Sequence, residues 1–153
     1  MMDTSPAGQL TVLLIQTAAS WFMTGLIWTM QVLNYPLLAL IDAGGVPRYE
    51  QAHNRRFIWL VGPGVAGALA SAVVMLGWRP SAVPLAVPVV ALVLLAVIVV
   101  STARQGAPSH ALLARQFDPE VHGRLVRTNW IRTVAWTALG VLDLIALALT
   151  LPG

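Results

Sequence analysis

Apolar residues dominate four stretches of the chain, and in three helices the polar exceptions recur at helical spacing. The stretches cover residues 10–36, 57–77, 85–103 and 129–151. Each comes close to the ~20 residues that a helix rising 1.5 Å per residue needs to cross a hydrocarbon core of about 30 Å. Through the fourth, His122, Asn129, Trp136 and Asp143 fall seven apart, which is one helix face, with Arg132 beside them. In the first, Trp21, Trp28 and Tyr35 fall seven apart, flanked by Thr17, Thr24 and Gln31. Leading into the second, Tyr49, His53, Arg56 and Leu60 follow 4-3-4 spacing. The third is wholly apolar from Leu85 to Val100, which predicts scaffold and lipid contact.

The predicted fold class is all-α: an integral membrane four-helix bundle with helical extensions on one leaflet. The chain reads as a single membrane domain over residues 1–153. Uncharged sequence continues from Leu10 to Ile41, too long for one span. A break or kink is expected at Pro36, whose ring removes the bond to the Val32 carbonyl; Pro63, between Gly62 and Gly64, does the same to the Trp59 carbonyl. Gly62, Gly64, Gly67, Ala70 and Ser71 offer a small-residue face for close helix packing. Asp118 and Pro119 read as N-cap and first helical residue, with Glu120 in the first turn, so a helix begins there and runs into the fourth span. A separate short helix is expected over residues 109–116. Pro47 starts another that passes through His53 into the second span.

Composition fixes the class. The chain is 58% hydrophobic and 10% charged, with mean hydropathy +0.76, whereas about a quarter of a soluble domain is charged. Cysteine is absent, which excludes disulfides, thiol catalysis and thiolate metal sites. The segment before Leu10 carries Asp3 and no Arg, so no signal peptide is expected. All nine cations are Arg. Links 42–56 and 104–128 share a face, because an even number of crossings separates them. Together with Arg132 they hold eight of the nine Arg. The positive-inside rule then makes this a multi-pass protein of the bacterial inner (plasma) membrane with both termini periplasmic. The same clustering at membrane edges favours anionic lipid over nucleic acid as the partner of the net +3 charge.

Polar stripes on three helices entering one leaflet predict a polar cavity there. Its lining would draw on Gln31, Asn34, Tyr35, His53, Arg55, Arg56, His110, Asn129 and Arg132, with Trp28, Trp130 and Trp136 as flat walls. An ionisable group inside a membrane reads as functional. His53 or His110 would act as base; Arg132, Asn129 and Gln31 would orient a ligand. Arg55, Arg56 and Arg127 read as interface anchors, and Arg132 as either a membrane-edge anchor or a site residue. Asp143 lies deeper, outside that site, and is expected to be protonated or hydrogen-bonded to Gln16, Thr17 or Thr137. Glu50 and His53 have the E-x-x-H spacing of di-iron bundles, in one copy rather than two. With His110 and His122 they are the metal candidates. No cofactor is the default expectation, with metal or haem as the alternative. No phosphate loop, hydrolase elbow or metallopeptidase motif occurs.

The stretches WTMQVLNYP (28–36), HNRR (53–56), PSHALL (108–113) and LVRTNWIRTVAWT (125–137) resemble an uncharacterised group of small bacterial four-helix membrane proteins. That group has His where this chain has Asn34. More distantly, the layout is similar to the anthrone-oxygenase-like family of four-span proteins. Asn129 and Arg132 match its Trp/Asn/Arg motif, and His110 lies in its Pro-polar element. The resemblance implies cofactor-independent oxygenation of electron-rich aromatic ketones. The expected function is binding, with oxidation as its catalytic extension, of a small aromatic or lipophilic molecule. The alternatives are a non-catalytic integral-membrane subunit or lipid-binding protein, in a homo-oligomer or larger membrane complex, and a His-ligated metal or haem protein.

Overall fold

A computed structural model of the chain describes residues 5–151. Four helices are long and apolar enough to cross a membrane: α1 (Pro6–Leu38), α2 (Val46–Gly77), α3 (Ala86–Leu113) and α4 (Pro119–Ala148). The protein is an all-α four-helix bundle. Helix α1 packs on α2 and α4, and α3 packs on α4 and, less extensively, on α2. Large apolar side chains face outward along every helix, and Trp59 is 81% exposed, a surface suited to lipid or to another apolar surface.

The starts of the helices follow their sequence. Asp118 caps α4, its Oδ1 accepting from the Glu120 and Val121 amides at 2.8 and 3.3 Å. Ser5 caps α1 by accepting from the Gly8 amide at 3.2 Å. Pro47 stands in the first turn of α2.

The prolines act differently from expectation. Helix α1 does not break at Pro36: it widens into a π turn, Met30–Asn34, and continues. The Tyr35 amide then bonds the Met30 carbonyl, five residues back. Helix α3 repeats the device. It does not end near residue 103 but passes through a second π turn, Thr102–Gly106, two residues before Pro108, and runs on to Leu113. No separate helix forms over 109–116. Proline cannot donate to the fourth carbonyl back and its ring crowds it. Bonding to the fifth carbonyl opens the preceding turn and accommodates both problems. Pro63 is carried inside continuous α2.

Three apolar clusters fill the bundle. The central one unites Met23, Ile27, Ala68, Leu95, Trp136 and Leu139. A second, around Tyr35, Leu38, Val46, Leu113 and Leu125, closes the end with the helical extensions. A third, around Leu13, Met75, Val83 and Ala146, closes the other. Close approach of α1 and α2 requires Gly64, where a Cβ would stand 2.6 Å from Met23 Sδ. The small-residue face is narrower than expected. Gly64, Ser71 and Ala72 are buried, whereas Ala70 is exposed and Gly62 meets nothing within 4 Å.

Candidate functional site

Each π turn brings polar groups of its helix to the same end of the bundle. On α1, Gln31 is buried and accepts from Asn129 Nδ2 at 2.8 Å. Asn129 Oδ1 accepts from Arg132 Nε at 3.0 Å, and Arg132 Nη1 points at the carbonyl and hydroxyl of Ser101 at 3.5 and 3.4 Å. The α3 π turn places Gly106 against the guanidinium, where a Cβ would lie 3.0 Å from Nη1. Asn129 is thus engaged by Gln31 and Arg132, and its role is to hold the guanidinium in place.

Arg132 is 5% exposed and has no carboxylate partner; among the described residues the one ion pair joins Glu50 and His110. Glu50 is 1% exposed, and its Oε2 lies 2.8 Å from His110 Nδ1. A carboxylate only accepts, so Nδ1 carries a proton that it donates to Glu50. The Tyr35 hydroxyl is 3.3 Å from Nε2 and also lies against the Arg132 guanidinium. Glu50, His110, Tyr35, Arg132, Asn129 and Gln31 therefore form one chain of polar contacts drawn from all four helices.

That chain borders a cavity of about 520 Å³. Tyr35, His110, Asn129 and Arg132 line its polar end. Met23, Ile27, Val61, Val65, Ile98 and Trp136 supply apolar wall. The volume matches a molecule of a few fused rings or a short acyl chain.

Other expected residues lie elsewhere. His53 stacks on Tyr49, Phe57 and His110, its ring centroid 5.5 Å from that of His110. With Arg56 it lines a separate groove. Asn34 accepts from the Tyr49 hydroxyl at 3.1 Å, outside the cavity lining. Arg55 is exposed. Trp28 and Trp130 pair edge-to-face on the outside of the bundle, so of the three expected walls only Trp136 is one. Of the metal candidates, Glu50 bonds His110 and His53 stacks on His110, while His122 stands apart. His122 is turned to the Tyr35 carbonyl at 2.9 Å, and no group of three His, Cys, Asp or Glu among the described residues could hold a metal.

Sequence reasoning missed the part played by α3. Its apolar run predicts scaffold alone, yet Ser101, Gly106 and Ala107 border the guanidinium or the cavity. The available signal is Gly106 two residues before Pro108, a proline that the helix must accommodate by a local change of pitch. It also read Glu50 as a metal ligand rather than as the partner of His110. Comparison with family models, characterised proteins and solved structures found no match.

Proposed function

We propose that the protein binds a small aromatic or lipophilic carbonyl compound in this cavity and ionises it there. The observation that carries the reading is Arg132, a buried guanidinium with no carboxylate partner at the polar end of an otherwise apolar cavity. An uncompensated buried charge is costly. A ligand that develops an oxyanion at that end supplies the missing negative charge.

The proton has a destination. His110 Nε2 takes it from an acidic C–H or O–H of the ligand, and Glu50 stabilises the imidazolium that forms. The oxyanion rests on Arg132 and the Tyr35 hydroxyl in a site with little water. Oxidation follows for a ketone such as anthrone. Loss of the proton makes its methylene carbon an enolate carbon rich enough in electrons to add O₂. The resulting peroxide loses water, so the CH₂ becomes a carbonyl, one O₂ is consumed and no cofactor takes part. The clustering of Arg at this end supports its placement at the cytoplasmic leaflet of a bacterial inner membrane.

Anthrone is the test ligand. Purified protein in mild detergent under air is expected to form anthraquinone faster than detergent alone, with equimolar O₂ uptake. His110→Gln is expected to abolish the acceleration. Anthrone binding without turnover removes the oxygenase and leaves the binding site. Absence of both, with lipid retained through purification, supports the non-catalytic lipid-binding alternative.

A further inference from the structure

A second polar group sits between α1 and α4, in the half of the bundle remote from Arg132. Gln16, Ser20 and Asp143 are all 0% exposed. Among the described residues, eight buried side-chain polar atoms lack a hydrogen-bond partner, and five belong to these residues: Gln16 Nε2 and Oε1, Ser20 Oγ, and both carboxylate oxygens of Asp143. Native interiors leave few such atoms, so their concentration in one place asks for a cause. Gln16 and Ser20 face the Asp143 carboxylate as hydrogen-bonding groups, at a geometry too loose for a full hydrogen bond. The other expected partners are taken. Thr17 donates to the Leu13 carbonyl at 2.8 Å and Thr137 to the Thr133 carbonyl at 2.7 Å.

Among the described residues no protein charge answers Asp143. Helix α1 carries no charged residue from Pro6 to Leu38, α2 none from Phe57 to Gly77, and α3 none from Ala86 to Ser101. Arg132 is eleven residues away on the same helix (143 − 132), about 16 Å along its axis. Arg79, beyond the end of α2, donates instead to the Val83 and Leu76 carbonyls at 3.0 and 3.1 Å. A lone carboxylate in this interior either takes up a proton or is stabilised by a positive charge from outside the chain. The oxygens on offer are a carboxylate, an amide and a hydroxyl, a hard donor set that suits alkali and alkaline-earth cations over transition metals. One carboxylate balances one positive charge, which favours a monovalent ion over calcium or magnesium.

We propose that Asp143, Gln16 and Ser20 form a site for a single monovalent cation of sodium size, bridging α1 and α4. The small size follows from the seam in which the site lies. Trp21 Nε1 donates to the Gly140 carbonyl at 3.2 Å and Thr24 to the Trp136 carbonyl at 3.0 Å, which fixes the two helices close together next to the site. The site is independent of the Arg132 cavity.

Thermal unfolding of the purified full chain in mild detergent tests it, with sodium chloride compared with choline chloride at equal ionic strength. Sodium at about 100 mM is expected to raise the Tm of the wild type by roughly 4 °C or more. Potassium should do less. Asp143→Asn, nearly isosteric, should lose the sodium-specific rise. Binding of radioactive sodium to the wild type, displaced by cold sodium and not by choline, provides a reading that needs no variant. Equal Tm values in sodium and choline with no displaceable sodium, or a sodium-specific rise retained in Asp143→Asn, would overturn the proposal. So would stabilisation by calcium alone.

Discussion

A guanidinium is planar, permanently charged and able to donate in a fixed fork. Arg132 donates from Nε to Asn129 and points Nη1 at Ser101, and the side chain held this way lines the cavity. Lysine in its place would keep the charge and lose the fork. Arg132→Lys is therefore expected to weaken anthrone binding about 10- to 100-fold, the ~1.5–3 kcal/mol of a hydrogen bond to a charged group. Asn129→Ala removes the group that holds Nε and should fall in the same range, measured by equilibrium binding. Equal affinity in both variants would return Arg132 to the role of a membrane-edge anchor. Glu50→Gln separates binding from chemistry. The amide cannot stabilise an imidazolium as a carboxylate does, so turnover should drop ~100-fold while anthrone affinity changes little. The residues of this site were partly visible in the sequence. Asn129, Trp136 and Asp143 fall seven apart and all three are buried, because a single helix face is readable from spacing alone. The pairing of Glu50 with His110 was not, since sixty residues separate them and only folding brings them together.

At the scale of the helix, the prolines decide where backbone and guanidinium meet. Both π turns stand two residues before a proline, at Pro36 and Pro108, and both touch the polar chain, through Gln31 and through Ser101 and Gly106. Pro108→Ala restores an N–H that can bond the Arg104 carbonyl and close the turn to ordinary α geometry. The helix is expected to gain stability while Ser101 and Gly106 leave Arg132, with anthrone affinity falling about 10-fold. Gly106→Ala acts more directly. Its Cβ would stand 3.0 Å from Arg132 Nη1, so the guanidinium must move by a few tenths of an ångström. A several-fold loss of affinity with an unchanged Tm is the expected result. Gly25→Ala is the matched control: nothing lies within 4 Å of its Cβ, and stability should hold or rise by up to about 1 kcal/mol. The sequence shows the prolines but not the response to them. Pro36, Pro63 and Pro108 all sit inside helices, and only two of the three open a π turn, because neighbouring helices settle which local change of pitch is tolerated.

For the whole molecule, length and hydropathy made the four crossings legible, and the boundaries moved outward because polar extensions continue the same helices beyond the apolar runs. Orientation rests on a different signal, the eight-to-one distribution of Arg between the two faces. Arg48, Arg55, Arg56, Arg104, Arg115, Arg124 and Arg127 are all exposed on the extensions at one end, where they meet headgroups and cost little. Arg132 is the exception, buried among polar partners, so it contributes to the site rather than to the surface charge. Removing it from the count leaves seven to one, which supports the same proposed orientation. A reporter that is active only in the periplasm should therefore work when fused after Leu151 or within residues 79–84, and fail when placed within residues 114–118. A cytoplasm-specific reporter should give the reverse at each position. Activity of the cytoplasmic reporter at the C-terminus would invert the molecule, moving the Arg132 cavity to the periplasmic leaflet and the Asp143 site towards the cytoplasm. The ligand and the cation would then reach their sites from the opposite compartments, while the internal geometry that defines both sites would be unchanged.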